Sequence, residues 1–351
     1  MEVFKYYLIN FLVPVLVLFL IIVITVTISD RIAYGYNRQY RKAIKQKIND
    51  FLTELLFTDA ENYDSRIAAF KKEIPFRKAW CKSMVTNCII ELKQNIKGEV
   101  TAPILDIYKS FGLQHFSKKL IHSSRWYVKC KGIYHYQILE YEEGENYVKK
   151  FLDHKNTILR SNAFIAFISL TSKKLDFLST YPYEISLIDE LKVMDLLHHK
   201  KFPIPKNIKD WITAQNPSIV KLGIRFMVYY NYTAEQEALL ELLNSENKMI
   251  RQEVIIAIKE LYLLEAESRL IDLFGSEDNA NKIAILQTLA VIGSSKTIAF
   301  IDDYLHRSIN AETKIHAVRT LDAIDSSYLK SNFKENFEVI KIKKHVKNPY
   351  L

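Results

Sequence analysis

Few residues in this chain have the type and spacing that chemistry requires. His198 and His199 are adjacent, and imidazole is the commonest side-chain ligand for transition metals. Neighbouring helical residues point about 100° apart, so the two cannot share one ion from a helix. Glu140, Glu142 and Glu143 form an acidic turn, and Asp302-Asp303 a second carboxylate pair. Both groups read as solvated surface carboxylates. Cys81, Cys88 and Cys130 are an odd set without a Cys-x-x-Cys pair, which argues against disulfides and zinc fingers. Cys81 and Cys88 lie seven apart, on one helical face, and read as small core residues. Arg125-Trp126-Tyr127-Val128-Lys129 combines rings with cations, the means of stacking bases and holding phosphates. No glycine-rich phosphate loop, His-Glu-x-x-His or Gly-x-Ser-x-Gly occurs. The sequence predicts no cofactor, no metal site and no catalytic residue.

The elements that carry these residues repeat. In Met249–Leu261, Arg251 is followed at +3, +6 and +7 by Val254, Ala257 and Ile258, one apolar face of a helix. Steps of about 31 residues, a period typical of stacked repeats, find the same pattern again. It recurs at Lys282, Lys314, Lys221 and Arg160, with Lys129 one period before Arg160. The unit between Arg160 and Lys221 places Leu191 where the cation should be. Glycine numbers only 8 among 351 residues, which favours helices joined by short turns over sheets and nucleotide-binding loops. The predicted pairs include 104–120 with 124–139, where Gly132 and Tyr134-His135-Tyr136 interrupt the second helix. Residues 145–152 with 157–170 and 266–274 with 280–292 are clearer pairs.

These residues resemble HEAT repeats, particularly the short bacterial kind related to phycobilisome lyases. The stretch Asn244-Ser-Glu-Asn-Lys-Met-Ile-Arg-Gln-Glu-Val-Ile-Ile-Ala-Ile carries the likeness. The resemblance covers residues 145–326 well and 58–144 as degenerate repeats. It implies an all-α solenoid of stacked antiparallel helix pairs, whose second helices line the binding surface. It also implies a structural role for Arg160, Arg251, Lys282 and Lys314, bridging to turn acids such as Asp153 or Asp278. Binding is the implied work; the alternative is a lyase- or glycosylase-like enzyme acting on a ligand in the concave groove. Lys259, Gln287 and Arg319, on the second helices, are the expected contacts for a protein partner.

Residues 8–28 carry no charge, and 21 helical residues measure about 31 Å, one bilayer core. They are expected to be a transmembrane helix, after a short extracytoplasmic segment 1–7. Arg31, Arg38, Arg41, Lys42, Lys45 and Lys47 follow. By the positive-inside rule they place the body in the cytoplasm, on the inner membrane. Residues 29–57 are amphipathic and either rest on lipid or cap the solenoid; 327–351 read as a basic tail. The net charge of +9 fits anionic lipid, an acidic protein or nucleic acid, and a tether disfavours the last. The expected function is a membrane-anchored scaffold or regulatory subunit for a membrane enzyme, an envelope polysaccharide synthase being one association the likeness suggests.

Overall fold

The computed structural model describes residues 12–57, 63–96, 103–171, 175–307, 310–334 and 336–346. Among them are helices and turns only. The chain divides into two compact units, residues 1–172 and 173–351.

The first unit is built on α1, Val13–Leu56, 44 residues without a break. Pro14 sits in its first turn, where no amide partner is lost. Val15 to Ile28 expose their large apolar side chains by 44–64%. Thr25 and Thr27 turn their hydroxyls back to the carbonyls of Ile21 and Val23, at 2.7 Å each. Among the described residues no helix is long and apolar enough to cross a membrane. The described apolar side chains run only through residues 14–28 with Leu12. The expected span starts at Leu8, and residues 1–11 lie outside the described residues, as do the side chain of Arg31 and residue Lys347.

Beyond Tyr40 the same helix enters a core. Ile44, Ile48, Leu52 and Leu55 are buried, and Phe51 stacks on Phe70 at 3.9 Å. Of the stretch expected to rest on lipid or to cap the solenoid, Ile44 to Leu55 pack within the first unit. They meet α2 (Tyr63–Glu73), α3 (Ala79–Asn95) and α4 (Pro103–Ser110). The predicted helix 104–120 is two helices, α4 and α5 (Leu113–Ile121), because Gly112 turns left-handed at φ +68°. Only glycine adopts that without penalty.

Conversely, α6 (Trp126–Leu139) is continuous through Gly132. A Cβ there would lie 2.7 Å from the Ser117 carbonyl oxygen and 2.7 Å from Ile121 Cγ1. The glycine therefore serves the close crossing of α5 and α6 rather than ending a helix. Gly132→Ala is expected to destabilise the first unit by roughly 1–3 kcal/mol through overpacking, read by chemical denaturation. The unit closes with α7 (Glu145–Lys149) and α8 (Thr157–Leu170), the latter packed on α6.

The second unit contains α9 (Leu187–His199), α10 (Ile208–Ile212), α11 (Pro217–Tyr229), α12 (Gln236–Glu241) and α13 (Lys248–Glu260). It continues with α14 (Glu267–Phe274), α15 (Asn279–Ile292), α16 (Ser295–Leu305) and α17 (Ala311–Ile324). Here α11, α13, α15 and α17 stack in order, each on the next. The segment after Asp325 is not a free tail. It forms α18 (Ser326–Asn332) and α19 (Phe337–Val346), which pack on α17. Leu329, Phe333 and Val339 are buried there, closing an end that stacked repeats otherwise leave apolar.

Candidate functional site

The second helices share an opening. Asn156, Ser186, Asn216, Asn247, Asp278 and Asn310 each cap a helix, their side chains accepting a first-turn amide. Such caps satisfy donors that a helix start leaves bare. They give a register independent of the cation. Four residues past the cap stand Arg160, Arg251, Lys282 and Lys314, but in the α9 unit that place belongs to Glu190. Counting by the longer period had put Leu191 there; Leu191 is 59% exposed and Glu190 fully buried. One rung of the ladder is therefore reversed in charge, and in the Asn216 unit the rung is the buried Val220, with the expected Lys221 one residue further on.

The reversed rung gathers cations from the next helix. Lys221 Nζ lies 3.2 Å from Glu190, and Arg225 Nη1 donates to it at 3.0 Å. Arg225 also grips Glu253 on α13 with both sides of its guanidinium, Nε at 3.2 Å. The Glu253 hydrogen bond, chiefly, raises the Arg225 pKa.

Arg251 finds Glu277, Nη2 to Oε2 at 3.0 Å, rather than the expected Asp278. Asp278 caps α15 and meets Lys248 instead. Burial pushes the Glu277 carboxyl up, but Arg251 and Asn281 outweigh it and hold it below the ordinary value. Asn281 links Glu277, at 2.7 Å, to the Lys248 carbonyl.

Lys314 pairs with Glu338 on α19, and Lys343 with Asp322 at 3.3 Å. Lys282 sits over the Phe274 ring at 5.7 Å. Arg160 donates to the His154 carbonyl at 3.0 Å. Two buried hydroxyls add crossties, Thr288 to the Ile255 carbonyl and Thr320 to that of Leu286. These groups tie the second helices to neighbouring helices and turns.

An outer row lies nine residues past the caps of the second unit: Asp195, Arg225, Ile256, Gln287 and Arg319, of which Arg225 is already held by Glu190 and Glu253, while the same step from Asn156 reaches buried Ile165. Gln287 and Arg319 are exposed. Lys259 is not in line with them; it is half-buried one turn on and paired with Glu260 at 3.0 Å. Ile256, 42% exposed, takes its place. The cap asparagines would have revealed this register from sequence, since they recur at nearly the repeat spacing.

The other chemical residues are scattered. His198 Nδ1 meets the Tyr229 hydroxyl at 2.5 Å, while His199 bonds its own helix at the Asp195 carbonyl. Glu140 pairs with Lys93 and Glu143 with Lys109. Asp303 pairs with Arg307 within α16 and its C-terminal turn. Burial lifts the Cys81 and Cys88 thiols to about 11, as inert core residues require.

A cleft of about 1030 Å3 in the second unit is walled by Tyr181, Glu184, Asp210, Thr213, Lys221 and Met249. Of the positively charged residues, Arg38, Arg41, Lys42 and Lys47 are exposed on α1, and Lys45 turns to Glu91 at 2.9 Å. The imbalance of charge is confined to one unit. Residues 1–172 hold 25 basic and 16 acidic residues, whereas 173–351 hold 24 of each.

No curated protein matches the chain. The chain is similar to the HEAT-repeat family over residues 236–325, the stretch of α12 to α17 in which the caps, cations and crossties recur, and helical repeats of that kind are scaffolds for protein interaction.

Proposed function

We propose that this protein is a membrane-tethered scaffold whose second helices hold a partner protein against the bilayer. The observation that carries the tether is α1. One helix presents a run of exposed apolar side chains and then, without interruption, the buried residues Ile44 to Leu55. Exposing so much apolar surface to water is costly, at roughly 25 cal/mol per Å2, and lipid removes that cost. The basic residues after the apolar run support a cytoplasmic placement of the body. A tether also concentrates the body near membrane partners without any added contact.

The binding reading rests on the outer row. Ile256, Gln287 and Arg319 make an apolar and polar strip on a rigid array, which suits a protein surface. A small-molecule enzyme would instead use the cleft at Glu184 and Asp210.

Two measurements test these readings. Full-length chain is expected to stay in membranes washed with alkaline carbonate, and a chain lacking residues 1–28 to come off. Cross-linked intact membranes should yield a protein partner whose recovery falls at least tenfold with Ile256→Asp and Arg319→Glu together. Recovery unchanged by that pair would move the interface elsewhere. Turnover of a small molecule abolished by Asp210→Asn would replace the scaffold with an enzyme.

A further inference from the structure

Three runs of the first unit contain no acidic residue: 31–49, 74–90 and 107–139. Together they hold fifteen lysines and arginines. The fold brings them to one end. On α1, Tyr40 meets Trp80 edge to face at 6.2 Å, and the Arg41 guanidinium lies over the same ring at 5.0 Å. Trp80 begins α3, next to exposed Arg77 and Lys78. One turn further along α3, Ser83 accepts from Lys131 of α6 at 2.5 Å. Less than two turns back, α6 starts at Arg125, Trp126 and Tyr127. The rings there are 41% and 53% exposed, and Arg125 Nη1 donates to the Tyr127 hydroxyl at 3.2 Å. Lys129 reaches back to the Ile121 carbonyl, 3.3 Å away, where α5 ends beside exposed Lys118 and Lys119. The start of α3 therefore lies on α1 at Tyr40 and Arg41, and the start of α6 and the end of α5 are joined to that same part of the unit through α3.

We infer that this end of the first unit is a docking platform for anionic lipid headgroups, beyond the insertion of α1 itself. The inference rests on the tether proposed above. Tyr40 stands twelve residues, about 18 Å of helix, past Ile28. Long arginine and lysine side chains and a Debye length of about 8 Å span most of the distance to the headgroups. Amphipathic tryptophan and tyrosine with arginine and lysine are the residues that settle at a lipid interface. A nucleic acid would find the same charges, but not the apolar stem beside them. The second unit carries its own lysines on α18 and α19, but its charge is balanced overall and no apolar stem like that of α1 adjoins them among the described residues. The platform turns a single swivelling anchor into a two-point attachment and sets which side of the body faces lipid.

The test is a lysine footprint of the full chain in nanodiscs. Acetylation by an activated ester is read by mass spectrometry in neutral phosphatidylcholine discs and in discs with one-third phosphatidylserine. Labelling of Lys42, Lys78, Lys119 and Lys131 is expected to fall about fivefold or more in the anionic discs, since one basic residue near such a leaflet is worth about that factor. It should return at 0.5 M salt. Lys248 and Lys296 in the second unit should label equally in both. Arg38→Gln, Arg77→Gln and Arg125→Gln together should abolish the protection of Lys131 while leaving incorporation and helical content unchanged. Equal labelling in both discs overturns the platform, as does protection of every lysine alike. Protection in neutral discs by a single-stranded 20-mer oligonucleotide exceeding that by anionic lipid reassigns the face to nucleic acid. Failure of the chain to enter discs overturns the tether and the platform together, whereas entry without lipid-dependent protection overturns the platform alone.

Discussion

Arg225→Ala is expected to cost the second unit roughly 3–5 kcal/mol, the range for removing one partner of a buried ion pair. The cause is Glu190. Its side chain has no exposure, so loss of the 3.0 Å donor leaves a carboxylate that water cannot reach, with Lys221 at 3.2 Å as its remaining cation. Glu253 loses its two-sided partner as well. An exposed pair such as Asp303 with Arg307 would cost less than about 1 kcal/mol by the same operation. Urea unfolding followed by the emission of Trp211, itself wholly buried in this unit, reads the loss. Glu190→Gln combined with Arg225→Met should recover most of it, because neither charge is then stranded. A loss under 1 kcal/mol in Arg225→Ala would mean that Glu190 is wet.

Acid is expected to weaken the first unit through His135. Its ring is 1% exposed, and Nδ1 lies 2.9 Å from the Ser117 hydroxyl, which also accepts from Tyr108 at 2.8 Å. Burial, with a smaller contribution from Lys131, pushes its pKa down to about 3. The unfolded imidazole titrates near 6.5. Between those values the unfolded chain binds a proton that the folded one refuses. Stability is therefore full above about pH 6.5 and falls by about 1.4 kcal/mol per pH unit below it, reaching roughly 3 kcal/mol by pH 4. Glu143, held below its ordinary value first by Tyr141 and then Lys109, acts in the same direction. Comparing the chain with His135→Gln isolates the histidine. The difference in stability between the two should narrow by that amount from pH 7 to pH 4, and a difference independent of pH would show that the ring is protonated in the fold.

The repeated second helices were legible because their apolar spacing is a local property of a helix. The helices expected at 157–170 and 280–292 fall within a residue of the observed Thr157–Leu170 and Asn279–Ile292. What escaped depended on neighbours. Gly112 and Gly132 look alike in sequence, yet one turns the chain left-handed and the other admits a crossing helix. The acid for Arg251 proved to be Glu277 rather than Asp278, since the cap role had already taken the latter. Glu190 escapes a fixed step of about 31 residues, which lands one residue past it at Leu191, whereas the helix cap Ser186 gives the count directly. The helices after Asp325 were hidden by lysines, whose long stems cover apolar surface while their ends stay in water. The convergence of three acid-free runs could not be read at all until α3 was seen touching both α1 and α6.

α1 runs from Val13 to Leu56 as one helix of 44 residues, so no loop separates its two halves. At 1.5 Å per residue the rod is about 66 Å long, and leaning it by ten degrees swings its far end by about 11 Å. Under the tether proposed above, a change in bilayer thickness that tilts the lower half steers the upper half, and with it the helices clamped around Ile48 and Leu52. In that arrangement the stem is a lever as well as a mooring.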